Sequence, residues 1–279
     1  MDEWSWPVIY LAFAVLIIGA VYAYLKIAQC PKYLAHAEYW VYSKSIELPS
    51  TEKLMIRLVG SNPYIQQGQN PIGGAEGLVL SDVRLKIALV LQKKNPKLFE
   101  GRLLPESIAD HHEFVNDVGS FNSIVKLQYV STTKLKDKRH LQFLMHAADA
   151  AAEIAGAGWI LDKITGTLRT KEELAEVLKN NFNVTKLEFN VELVANEDNT
   201  FSSYGLLKVG ISDFDTHIVS SDQVQLVREI LNKYMALSWE RGEAFPDPIK
   251  AYDDQFFIIQ KPTKSGRSMM RIVRKQLVL

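Results

Sequence analysis

The chain has 279 residues, 47% of them hydrophobic and 23% charged, with 32 Lys plus Arg balanced by 32 Asp plus Glu. That composition excludes a disordered tail, and zero net charge removes the global electrostatic signature of a nucleic-acid binder. A single cysteine, Cys30, excludes an intramolecular disulfide and fits a reducing compartment.

The first element is Val8 to Leu25, eighteen residues without a charge, ten of them Val, Ile, Leu or Phe. At ~1.5 Å per residue a helix of this length spans roughly 27 Å, close to the hydrocarbon thickness of a bilayer. Those ten side chains favour insertion by about 3 to 6 kcal/mol. The run is apolar on every face, as a lipid-facing helix is. Trp4 and Trp6 precede it and Tyr22 and Tyr24 close it, in the manner of interfacial aromatic anchors. Asp2 and Glu3 lie before it and Lys26, Lys32 and Lys44 after it, so the positive-inside rule puts the C-terminal side in the cytoplasm. The acidic start does not suit a cleaved signal peptide. Cys30 stands where a juxtamembrane thiol is open to acylation or remains free.

Residues 1–29 are therefore expected to form a transmembrane anchor and 30–53 a juxtamembrane segment. In the latter, Tyr33, Tyr39, Trp40 and Tyr42 suit either the headgroup level or a first strand. Two α+β units are expected beyond, over 54–156 and 157–279. The fold class is α+β, mainly antiparallel sheet with helices packed on it.

Leu54 to Val59 reads as a short strand, and Asn70 to Gly77 as a glycine-rich connection lacking the Gly-Lys-Ser/Thr of a phosphate loop. Val83 to Leu91 alternates as a strand, Pro105 to Val118 reads as a helix, and Phe121 to Val130 as a strand. A long helix starts at Thr132 or Thr133 and stops at Gly156, with Leu141, Leu144, Met145, Ala148, Ala152 and Ala155 on one face. Trp159 to Asp162 is a strand, and Thr170-Lys171-Glu172-Glu173 is a capping box opening a helix to about Asn180. Alternation predicts a strand over Leu187 to Leu193, turned by Asn196 to Asn199 into a partner strand at Tyr204 to Ile211. A helix runs from Asp222 to about Trp239, and strands near Gln255 to Gln260 and Ser268 to Val278 close the chain. Gly101 to Tyr129 and Gly166 to Phe189 share enough residues and element order to suggest an internal repeat of turn, helix and strand.

Candidates for chemistry are few. Asp110-His111-His112-Glu113 carries ligand types, but successive helical residues diverge. No His-Glu-x-x-His and no cysteine pair is present, and no metal or cofactor is expected. His146, Asp149 and Glu153 share one helix stripe, which suits a metal, a carboxylate-oriented general base of a hydrolase, or, as the preferred reading, the wet flank of an amphipathic helix. Lys261, Lys264, Arg267, Arg271, Arg274 and Lys275 form an acid-free basic run, able to meet anionic lipid or an acidic partner; it lacks the aromatic interleaving of a single-strand nucleic-acid platform. The expected function is a membrane-anchored scaffold or regulatory protein that binds an unidentified protein partner. The alternatives are a tethered hydrolase using the His146 stripe, and a lipid or nucleic-acid binder using the basic end.

Overall fold

The computed structural model describes residues 34–60, 84–100, 108, 111–135, 137–251, 254–263 and 266–274, together with 15–17 and 19. The chain divides into two compact units, Met1–Tyr33 and Leu34–Leu279. Of the expected span, residues 15–17 and 19 are helical and the rest lies outside the described residues. Among the described residues, no helix is long and apolar enough to cross a membrane.

The second unit is a mixed α+β fold with two sheets. Five antiparallel strands make the first, in the order β2 (Leu85–Leu91), β3 (Ser123–Ser131), β1 (Ala35–Ser43), β4 (Trp159–Asp162) and β5 (Thr167–Thr170). The aromatic-rich segment expected near the headgroups is the central strand β1, and its Tyr39 and Tyr42 are fully buried. Alternation explains why it is covered on both sides. Ala37, Tyr39 and Val41 face one core, while Trp40 and Tyr42 face another.

On the first side lies α3 (Arg139–Ala155), which packs on β1 and β3. Leu141, Leu144, Met145, Ala148 and Ala152 are buried as expected, and Ala147, Ala150 and Ala151 are buried too. Small side chains let this helix lie close to several neighbours at once. Gly156 ends it at φ 59°, a left-handed conformation that costs an L side chain energy and a glycine almost none. On the second side, Tyr42 meets Phe114 edge-on at 5.0 Å, and Phe114 meets Trp159 at 5.5 Å.

The second sheet has the order β6 (Glu192–Ala195), β7 (Phe201–Tyr204), β8 (Phe214–Thr216), β11 (Ser268–Arg274), β10 (Asp254–Pro262) and β9 (Ile249–Ala251). It is antiparallel except where β11 runs parallel to β8. The helix α5 (Val224–Arg241) buries Val227, Ile230, Leu231, Tyr234 and Met235, with the Tyr234 ring 6.1 Å from Phe214. One hydrophobic core runs from Ala37 in β1 through α3 to Met270 in β11.

Several expectations are corrected by this arrangement. Leu54 to Val59 belongs to a helix, α1 (Thr51–Gly60). Ser50 Oγ accepts the Lys53 amide at 3.2 Å, and the buried Leu54 and Leu58 are four residues apart while Ile56 is exposed. The helical period outweighs the local β character of the run. Leu187 to Leu193 is not one strand either. Asn190 is buried, and its Nδ2 donates to the carbonyls of Val184 (2.7 Å) and Lys186 (2.9 Å). This turns Leu187–Phe189 into a 3-10 helix. Tyr204 to Ile211 breaks at Gly205, φ 112°, where a Cβ would sit 2.0 Å from the Asn190 carbonyl oxygen; Leu206–Val209 is another 3-10 turn.

Helix α3 begins later than expected, where Asp137 Oδ1 accepts the Arg139 amide at 3.0 Å. The helix expected over Pro105 to Val118 is seen as the shorter α2 (His112–Asp117) followed by a 3-10 turn, with 101–107 and 109–110 outside the described residues. The capping box at Thr170 is formed and opens α4 (Lys171–Asn180). The expected repeat does not carry through, because Lys126 to Tyr129 lies in a strand and Lys186 to Phe189 does not. Nor does the sheet stop at the expected boundary of 156/157: β4 pairs with β1, so strands from 30–53, 54–156 and 157–279 share one sheet.

Candidate functional site

Helix α3 carries His146, Asp149 and Glu153 toward α1, and Arg57 from α1 meets two of them. Its Nη2 lies 3.2 Å from Asp149 Oδ2 and its Nε lies 2.5 Å from Glu153 Oε2. Asp149 is buried, so the stripe is not simply a wet flank. Burial raises the Asp149 carboxyl above its ordinary value, opposed by Arg57. The His146 Nε2 accepts from Gln142 Nε2 at 2.9 Å, and Gln142 Oε1 accepts the Val184 amide at 3.0 Å. Burial, with Arg57 nearby, pushes His146 down to about 4. The imidazole is thus neutral near pH 7, while the two carboxylates that would orient a general base are held by a guanidinium. The arrangement is a latch between two helices.

The basic run is divided by the fold. Arg267 lies just before β11 and clamps β7 and β8. Its Nε and Nη2 reach Asp215 at 2.7 and 2.8 Å, and Nη2 also donates to the carbonyls of Phe214 (2.8 Å) and Ser203 (3.0 Å). Arg274 Nη2 donates to Asp254 Oδ1 at 2.7 Å. Lys264 and Lys275 lie outside the described residues. Lys261 and Arg271 remain exposed, and antiparallel register puts them on one face. Phe257 pairs with Val273, Ile259 with Arg271, Lys261 with Met269, and Gln255 with Lys250 of β9. This outer face exposes 37% of Phe257 and 46% of Ile259. Apolar and cationic side chains are thereby interleaved on one face of the sheet.

Two buried polar clusters were not foreseen. Glu38 on β1 receives Trp40 Nε1 at 2.5 Å, Gln128 Nε2 at 2.7 Å, His36 Nε2 at 3.0 Å and Lys126 Nζ at 3.0 Å. Burial alone would raise its carboxyl, but His36, Trp40 and Lys126 hold it at about 2. Deeper still, Lys208 pairs with Asp162, and both are essentially inaccessible. Asp162 Oδ1 accepts the amides of Ile164 (3.1 Å) and Thr165 (3.4 Å). A His140 ring nitrogen donates to the Lys208 carbonyl at 2.9 Å, and the His140 ring stacks on Tyr129 at 4.5 Å. No local pattern marks a lysine or a glutamate as buried, so of these residues only the strand ending at Asp162 was legible.

A cleft of about 270 Å³ opens between the β4–β5 hairpin and the segment leading into β6. Thr165, Thr167 and Arg169 line it from the β4–β5 hairpin, Glu188, Phe189 and Glu192 from the segment running into β6, and His111 also lines it. Among the described residues, no group of three or more His, Cys, Asp or Glu side chains is placed to hold a metal ion. No family model, curated protein or solved structure matches the chain.

Proposed function

We propose that the chain is a membrane-anchored binding protein. Val8 to Leu25 forms its single span, the Lys-rich side lies in the cytoplasm, and the outer face of β9, β10 and β11 is its docking surface. The observation that carries this reading is the interleaving of Phe257, Ile259, Met269 and Val273 with Lys250, Lys261 and Arg271 on that face. Apolar area favours leaving water, and the cations suit an anionic leaflet at about 1 kcal/mol each. A tether raises the local concentration of the surface, so weak contacts suffice. A scaffold or regulatory role follows: the domain is held on the leaflet while its other surfaces remain open to a protein partner. The hydrolase alternative has less support, because Arg57 holds both carboxylates of the His146 stripe.

The test is flotation of residues 34–279, first checked for a cooperative melt, with neutral vesicles and with vesicles carrying anionic lipid. Tighter binding to the anionic vesicles is expected, weakening as salt rises. Replacing Lys261 and Arg271 by Gln should lower affinity roughly 30-fold, since two cations contribute about 2 kcal/mol. Equal binding to both vesicles, or an unchanged affinity in the double variant, would remove the leaflet from this reading. Tighter, salt-sensitive binding to DNA or RNA would replace it with nucleic acid.

A further inference from the structure

We propose that the cleft beside β5 binds a small zwitterion, taking a carboxylate at Arg169 and an ammonium group at Glu188 and Glu192. This site lies apart from the β9–β11 face and does not depend on the membrane reading. Arg169 stands in β5 opposite Ile160 and is half-buried. Its guanidinium has no ion-pair partner among the described residues. The buried carboxylate Asp162 is already engaged by Lys208. Lys208 and Arg169 repel one another in this partly dry environment, and the acids that act on Lys208, Asp162 and Asp213, form no ion pair with Arg169, whose charge is thus left to the cleft it lines. A guanidinium fork matches a carboxylate with two parallel hydrogen bonds.

Next to it, the Thr165 and Thr167 hydroxyls are 2.8 Å apart, and Thr165 Oγ1 also accepts the Thr167 amide at 3.3 Å. Whichever hydroxyl donates to the other, one O–H remains for an anion. The facing segment has the opposite sign. Glu192 has no ion-pair partner among the described residues, and Glu188 meets only Lys186, at 3.8 Å on the exposed rim. Arg169 forms no ion pair with either glutamate, although all three line the same cleft. Two glutamates disfavour a dianion such as phosphate, and Phe189 and Val191 add apolar lining to the same cleft. A cleft of about 270 Å³ accommodates a molecule the size of one amino acid.

The experiment is titration calorimetry of the full chain in detergent solution, which presupposes no bilayer insertion, using glycine, β-alanine, 4-aminobutyrate and 6-aminohexanoate. Acetate, methylammonium and inorganic phosphate are the single-charge controls. At least one amino acid is expected to bind at least about tenfold more tightly than acetate or methylammonium. Arg169→Gln should abolish that binding without changing the melt. Glu188→Gln with Glu192→Gln should reduce the preferred amino acid to the affinity of acetate. The proposal is overturned if no probe binds at tens of millimolar, if acetate or phosphate binds as tightly as every amino acid, or if a folded Arg169→Gln variant binds unchanged.

Discussion

Lys208 shows at the scale of one residue how this fold handles charge. Its ammonium is fully buried, and burial pulls it below its ordinary value, opposed by Asp162. Removing one partner of such a pair leaves the other charge uncompensated, which typically costs about 3 to 5 kcal/mol. Lys208→Met should therefore destabilise residues 34–279 by roughly that amount in urea unfolding. Adding Asp162→Asn should recover part of the loss, because a neutral amide oxygen still accepts the Ile164 and Thr165 amides. The double variant is thus expected to be more stable than Lys208→Met alone. A single variant within about 0.5 kcal/mol of the parent would show that the pair is not what holds β4 to the turn carrying Lys208.

At the scale of elements, punctuation was legible and long-range partners were not. Gly156 and Thr170 announced a helix end and a helix start because the backbone chemistry they supply is local. The run at Leu54 was ambiguous, because six apolar-rich residues fit either period until Ser50 and the burial of Leu54 and Leu58 decide it. Leu187 to Leu193 alternates well, yet the buried Asn190 amide bends it, and nothing local says that Asn190 is buried. The same holds for the candidate sites. Helical spacing aligned Asp149 and Glu153, but Arg57 lies 92 and 96 residues away in sequence, and Asp215 reaches Arg267 across 52. If Arg57 is the latch between α1 and α3, Arg57→Ala leaves the buried Asp149 carboxylate unpaired, at a cost of about 1 to 3 kcal/mol. Hydrogen exchange should then rise at the amides of 54–58 more than in β1 or β3. Unchanged protection in α1 would mean that Leu54 and Leu58 alone dock the helix.

For the molecule as a whole, one core joins both sheets, so titration of a few buried groups should register in global stability. His140 is pushed down to about 4, by burial first and then by the positive charges of Arg84 and Lys208, against the Lys208 carbonyl and Asp137, which pull it up. His146 is also held at about 4 by burial and Arg57. The unfolded chain, with imidazoles near the ordinary value of about 6.5, binds more protons between these limits. The histidine contribution is therefore fully present above about pH 6.5 and is lost as pH falls toward 4. Each shift corresponds to about 3 kcal/mol at most. Glu38, depressed to about 2, keeps its contribution down to about pH 4.5 and loses it only below. Asp149 and Asp213 are raised by burial, so they act in the opposite sense and soften the acid limb. The net expectation is a single unfolding transition whose midpoint falls between pH 6.5 and 4.5, before Glu38 titrates. His146→Gln retains a side-chain acceptor for Gln142 but cannot titrate, so its urea midpoint should depend less steeply on pH over that window. Identical slopes for parent and variant would show that His146 is not the group whose protonation the folded state resists, leaving His140, stacked on Tyr129 and bonded to the Lys208 carbonyl, as the histidine behind the loss between pH 6.5 and 4.5.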